Sequence, residues 1–258
     1  DGIRDVERSR GLGDVYKRQA LGIRGIKLFA EAAKHVPFRF LIMIPSCVPS
    51  LPGFETGANK ILAADIEKLA NEGLPYYGLA EMMNYPGVLF KDDEVMDKLL
   101  VGHNKFNLID GHAPGVSGKD LDAYIAAGIS SDHESTTQEE MMEKLRKGMK
   151  VLVRQGSFAQ DLENLFRNLD LSIDMRNICI ATDDRSVKDL LEKGHLDYSL
   201  SLAVKTGIEP ISAIQMVTIN PATHLKLCDQ LGQIAPGKIA DILIIDNLED
   251  FKVITTIY

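Results

Sequence analysis

The sequence predicts an α/β protein: a partial (β/α)8 TIM-like barrel without its first strands, followed by the start of a β-rich module. Three observations predict it. From Ala20 onward, helical patterns alternate with short apolar runs, as in repeated βα units around a parallel sheet. Several of those runs end in Glu, His or Asp, at the strand ends where a βα barrel carries its chemistry. Beyond Gly232 the texture changes to a Pro-Gly turn and an apolar β run, Ile234-Ala-Pro-Gly-Lys-Ile-Ala-Asp-Ile-Leu-Ile-Ile-Asp246.

In chain order, the expected strands are Arg39 to Ser46, Tyr76 to Glu81, Phe106 to His112, Gly128 to His133, Lys150 to Arg154 and Asn177 to Asp183. Amphipathic helices are expected at Ala63 to Asn71, Lys119 to Ala127, Gln138 to Lys147 and Gln160 to Leu169, with a further helix from Leu21. Two more are expected around His195 to Thr206 and Glu209 to Ile219. A closed barrel of this kind has about eight strands, so two strands are expected to be missing on the N-terminal side. The domain reading is residues 1–19 as a non-native segment, 20–230 as the partial barrel and 231–258 as a truncated β-sandwich module. Asp1 to Gln19 earns its exclusion because it carries alternating charges and two glycines without a core-facing period. Its Arg10 to Gln19 stretch resembles translated adapter read-through.

Composition removes whole classes of function. The 258 residues, 45% of them hydrophobic, can bury a sizeable core, while no apolar stretch approaches the roughly 20 residues of a membrane span. A formal charge of -8 argues against a nucleic-acid partner, since phosphate binding relies on Lys and Arg. Cys47, Cys179 and Cys228 form no C-x-x-C pair, which excludes a thiolate zinc knuckle and suits a reducing cytoplasm. A neutral or cationic small molecule is the expected partner, with neither nucleic acid nor membrane.

The chemistry-bearing residues are those at strand ends: Glu81, His112, His133 and Asp183. Taken singly, each has a plain structural role open to it, a helix cap for a carboxylate or a satisfied imidazole for a histidine. Together they are nitrogen and oxygen donors suited to Zn, Mn or Fe. Strand parity supports Asp183. Side chains alternate faces, so Ile178 and Ile180 share one face while Cys179, Ala181 and Asp183 share the other, with the small residues toward a crowded barrel interior. The same rule puts Asp110 and His112 together. Cys47 is expected to be a small buried hydrophobe, and Met82-Met83 and Met141-Met142 to be packing residues.

Several motifs carry a family resemblance. Asn220-Pro-Ala-Thr followed by Gly232 to Asp246 is similar to the barrel exit of the amidohydrolase superfamily. Narrower are Pro45-Ser-Cys-Val-Pro49, Gly78-Leu-Ala-Glu-Met-Met-Asn84, Asp110-Gly-His-Ala-Pro-Gly-Val-Ser-Gly-Lys-Asp-Leu121, Ala126-Ala-Gly-Ile-Ser-Ser-Asp-His-Glu134, Thr182-Asp-Asp-Arg185 and Gly194-His-Leu-Asp197. Together these resemble bacterial adenine deaminases. The resemblance implies a divalent, binuclear metal centre (Mn or Fe, or Zn) with Glu81 in the bridging place, His112 and His133 as ligands, and Asp183 both binding metal and moving protons. It further implies Glu134 as a catalytic residue, Arg185, His195 and Ser46 as substrate-binding residues, adenine as substrate, and a homo-oligomer at full length. The family's His-x-His pair occurs nowhere in the chain. Inactivity is therefore expected of the 258-residue polypeptide itself.

The implied reaction is hydrolytic deamination of adenine to hypoxanthine and ammonia. Two rivals stand beside it. Another amidohydrolase acting on a cyclic amide is disfavoured by Glu81, where hydantoinases and dihydroorotases use a carbamylated lysine; a non-catalytic homologue is disfavoured by the retained ligand-type residues. The cytidine-deaminase route lacks its H-x-E and P-C-x-x-C signature.

Overall fold

The computed structural model describes residues 21–36, 39–50, 60–74 and 76–258; the segment Asp1 to Gln19 lies outside them. The described residues belong to two compact units, 21–132 and 133–258. None of the described helices is long and apolar enough to cross a membrane.

The first unit runs α1 (Ile23–Ala33), β1 (Ile42–Ile44), α2 (Ala63–Asn71), β2 (Tyr76–Met82), α3 (Tyr85–Leu89), α4 (Asp93–Lys105), β3 (Ile109–Gly111), α5 (Gly118–Ala126) and β4 (Ser131–Asp132). Strands β1, β2 and β3 form a parallel sheet in that order. Its register pairs Leu79 with Ile109 and Met82 with Gly111, so Glu81 and His112 emerge at the same C-terminal edge. Two glycines in this unit are set by packing. A Cβ at Gly78 would collide with Met43 and with the Leu108 carbonyl, and one at Gly111 would collide with the Ser131 carbonyl and the Ile129 side chain.

The second unit runs α6 (Gln138–Arg146), β5 (Lys150–Arg154), α7 (Leu162–Phe166), a 3-10 turn at Met175–Asn177, β6 (Ile178–Ala181), α8 (Val187–Glu192), α9 (Leu196–Lys205), α10 (Pro210–Val217), α11 (Ile219–His224), β7 (Ile242–Ile245) and β8 (Val253–Ile257). Strands β5 and β6 are parallel, with Leu152 opposite Cys179 and Arg154 opposite Ala181. The expected split of β6 is observed. Ile178 and Ile180 join Val151 and Val153 in a core with Leu200 of α9 and Met216 of α10, whereas Cys179 and Ala181 meet Leu152 on the opposite face. Asn220 ties α11 to this strand, its amide donating to the carbonyls of Met175 at 3.0 Å and Ile178 at 2.8 Å. This gives the Asn-Pro-Ala-Thr motif a structural reason: a buried side-chain amide satisfies carbonyls at the strand's entry.

The β run at Ile242–Ile245 pairs antiparallel with Val253–Ile257. Phe251, between the two strands, is buried in the same core as Leu200 and Met216.

Differences from the sequence expectations are local. The helix expected over Gln160 to Leu169 is shorter, because Gln160 bridges to Gln155 and Asn168 takes a left-handed φ of 58°. The sequence places His103 near a helix end but gives helix α4 no bounds; its inner face is built partly from Gly102 and the alkyl stem of Lys98, which blurs the apolar period. His195, expected on a helix, is the N-cap of α9 instead. Cys47 is half-buried rather than buried, whereas Met82 and Met141 are buried packing residues as expected.

Candidate metal centre

In the first unit the ligand-type residues are Glu81, the penultimate residue of β2, and His112, just past β3. His112 Nδ1 lies 3.1 Å from Glu81 Oε2, and Glu81 is buried. Three scaffold contacts hold the pair. The Ser46 hydroxyl, buried after β1, donates to the Glu81 carbonyl at 2.5 Å. Tyr124, fully buried on α5, accepts the His112 N–H at 2.9 Å and donates to the Met82 carbonyl at 2.7 Å. Burial pushes the Tyr124 hydroxyl well above its ordinary pKa, and Asp132 and Asp110 add to the rise against the lowering effect of its bond to the His112 backbone. It is therefore a neutral clamp across the ends of β2 and β3. Asp110, expected to share a face with His112, accepts from Ser131 Oγ and from the Gly111 N–H, and Asp132 accepts from the Ala113 N–H at 2.8 Å. Those contacts shape the turn that follows His112.

Replacing Tyr124 by Phe keeps the ring and removes both bonds. The expected outcome is a loss of about 1–3 kcal/mol of stability, the cost of leaving buried backbone groups unsatisfied, read by denaturant unfolding. It should be accompanied by faster hydrogen exchange at the His112 amide. Unchanged exchange there would remove the clamp role.

In the second unit the donor atoms of His133, Glu134 and Asp183 all lie within 4.8 Å of one another. His133 Nε2 is 3.6 Å from Glu134 Oε1. Asp183 sits in the left-handed region at φ 52°, so the extended alternation of β6 does not itself run on to this residue. A non-glycine residue in that conformation carries strain, which recurs at functional sites. Arg154, the last residue of β5, reaches Glu134 and Asp183 with one terminal nitrogen, the latter at 3.4 Å, and Asp161 with its Nε at 2.9 Å. Burial opposes the charge on Arg154, but Glu134, Asp161 and Asp183 outweigh it and raise its pKa further.

The donor chemistry fits a divalent cation. One guanidinium faces three carboxylates, leaving excess negative charge, and the spacing of His133, Glu134 and Asp183 is close to the span across an ion whose ligands stand about 2.0–2.2 Å away.

The remaining expected site residues are placed by their own contacts. His195 Nε2 lies 3.3 Å from Thr182 Oγ1, and its backbone N–H donates to Asp197 at 2.6 Å. Arg185 donates to the Gly194 carbonyl at 2.9 Å and lies over the Tyr198 ring at 4.8 Å from its centroid, a cation–π contact. Sequence reasoning missed Arg154 and Tyr124. The signal for Arg154 was a charge closing the apolar run Val151 to Val153 at a strand's C-terminal end; for Tyr124 it was an apolar helix position three residues after Leu121.

With parallel βα units and donor sets of this kind described, comparison with known proteins defines the class. Residues 12–258 match the amidohydrolase family, and the chain belongs to it. Within that family, similar curated relatives include adenine deaminases. That of Staphylothermus marinus is 45% identical over 242 residues, 92% of this chain and 40% of the relative. That of Archaeoglobus fulgidus is 46% identical over 233 residues, 90% of this chain and 40% of the relative. The chain thus spans about 40% of the length of the curated relatives it matches. Among solved structures, a Xaa-Pro dipeptidase with bound methionine in its active site aligns with a TM-score of 0.58 at 15% identity, over 99% of this chain and 76% of that one. This is a likeness of fold.

Proposed function

We propose that this chain carries most of the catalytic groups of an enzyme that hydrolyses adenine to hypoxanthine and ammonia. The observation that carries the reading is similarity at 45–46% identity to proteins named adenine deaminase, joined to the donor sets at the strand ends. In this reading Glu81 and His112 in the first unit, and His133 and Asp183 in the second, would be ligands to divalent metal, Mn, Fe or Zn. A divalent cation bound there acidifies water toward neutral pH and stabilises charge developing on the substrate.

The chain's own groups do the rest. Asp183 accepts the proton of the water that adds to the amidine carbon C6 and delivers it to the departing amine, so that ammonia leaves. Glu134, held by Arg154, is the second catalytic carboxylate and orients the attacking water. Arg185 and His195, anchored to the Gly194 and Thr182 backbones or side chains, face the purine. Ser46 acts through Glu81, because its hydroxyl proton is given to the Glu81 carbonyl, and offers substrate only its lone pairs.

The test is a chimera in which residues 20–258 of this chain replace the matching segment of the Archaeoglobus fulgidus relative. Metal-dependent release of ammonia and hypoxanthine from adenine is the expected result. A folded, metal-loaded chimera that leaves adenine intact and opens a cyclic amide such as hydantoin would replace this reading with the cyclic-amide one.

A further inference from the structure

We propose that Arg154 is a positioning residue of the site: one guanidinium that fixes Glu134 and Asp183 relative to each other and is itself fixed by Asp161. This deepens the reading above and rests on it for the consequence of the arrangement; the contacts themselves lie wholly within the second unit.

The argument begins with how Arg154 is held. It closes β5, is 8% exposed, and its backbone carbonyl accepts the Asp161 N–H at 3.0 Å. The Asp161 carboxylate answers on the side chain, one oxygen accepting from Nε at 2.9 Å and from a terminal nitrogen at 2.8 Å. Arg154 and Asp161 are therefore locked through main chain and side chain at once. A guanidinium is a rigid plane with donors in fixed directions, so seizing one edge determines where the other edge points. That other edge, a single terminal nitrogen, meets Glu134 Oε1 and Asp183 Oδ2.

Glu134 arrives from one loop and Asp183 from another, 49 positions later in the sequence. Two carboxylates so near would separate by repulsion; the shared nitrogen sets their spacing instead. Each engages Arg154 through one carboxylate oxygen. The segment bearing Glu134 is supported on its other side as well. Lys144 of α6, with no exposed surface, donates to Ser135 Oγ at 3.1 Å and to Glu140 at 2.7 Å. Asp161 reaches Glu134 and Asp183 through Arg154.

A mere counter-ion and a positioning fork make different demands on position 154. Lysine supplies the charge as a single point on a flexible stem and cannot hold Asp161 with one edge while spanning two carboxylates with the other. The experiment uses the 258-residue chain and two readouts. In the first, Mn(II) is titrated into wild type, R154K, R154M and D161N and followed by electron paramagnetic resonance. Both Arg154 variants are expected to bind Mn(II) about 10-fold more weakly or worse, the usual cost of disturbing groups that orient metal ligands. D161N should move in the same direction by less, with an altered spectrum of the bound ion. Wild-type affinity in R154K, or tighter binding in R154M, would overturn the proposal, since either means the guanidinium acts only through its charge.

The second readout needs no metal. Thermal melting of R154M, E134Q, D183N and the two doubles that include R154M is expected to be non-additive, each double losing little beyond R154M alone. Additive losses in both doubles overturn the proposal whatever Mn(II) does. If R154M does not fold, the same cycles run with R154K. Non-additive cycles in a chain that binds no Mn(II) would keep Arg154 as a positioning residue and count instead against the metal-centre reading.

Discussion

Exchange of Asp183 for asparagine is expected to lower the adenine turnover number of the chimera by roughly 1,000-fold, with a much smaller change in KM. The amide is nearly the same size and can keep a contact with Arg154, but it cannot accept and return the proton, and general acid-base transfer is worth about 100- to 10,000-fold. The exchange also removes a negative charge from a group in which three carboxylates face one guanidinium. Metal content measured alongside activity separates the two effects. A variant that keeps its metal yet loses turnover places the proton on Asp183, whereas one that retains turnover within tenfold of wild type would exclude Asp183 from proton transfer.

The largest expected loss of stability comes from Gly111→Ala. Gly111 lies between Asp110 and His112 on β3, where an added Cβ would run into the Ser131 carbonyl and the Ile129 side chain. The obstacle is backbone, which cannot swing aside as the tip of a side chain can. One of the two segments must shift, and overpacking of this kind costs about 1–3 kcal/mol or more. We expect a fall in melting temperature of several degrees. Because Asp110 is bonded to Ser131 and His112 to Tyr124, the shift should also loosen the His112 ring. An alanine variant melting as wild type would mean that β3 and β4 are not in this close contact.

How far the sequence carried the fold depended on how local the cause was. Strand β5 was legible to the residue, since Lys150 and Arg154 bracket three branched apolar residues. The two faces of β6 were legible because one period-two pattern separates isoleucines from small residues. The extent of helix α4 was not, because Gly102 faces Ile109 and Leu79 where a larger apolar residue would have announced a buried helix face. The same holds for the candidate site. His112, His133, Glu81 and Asp183 could be proposed as polar residues closing apolar runs. Arg154 and Tyr124 contact partners brought to them by folding, 20 positions away for Glu134 and 12 for His112, and no short-range pattern encodes such pairings.

Asp184 stands beside Asp183 and turns its carboxylate elsewhere, accepting the backbone N–H groups of Ser157 at 2.9 Å, Phe158 at 3.0 Å and Ala159 at 3.3 Å. It comes so close to Gly156 that a Cβ there would collide with it, and Ser157 in turn bonds Asp189 of α8. The loop after β5 is thus moulded around a side chain delivered by the loop after β6. Such loops are where barrel enzymes ordinarily vary to acquire new substrates, each free to change while its neighbours stay the same. Here the two are a single heritable piece: an insertion in one must be answered in the other. Anyone recombining loops to alter specificity would have to move residues 155–161 and 182–189 as a pair.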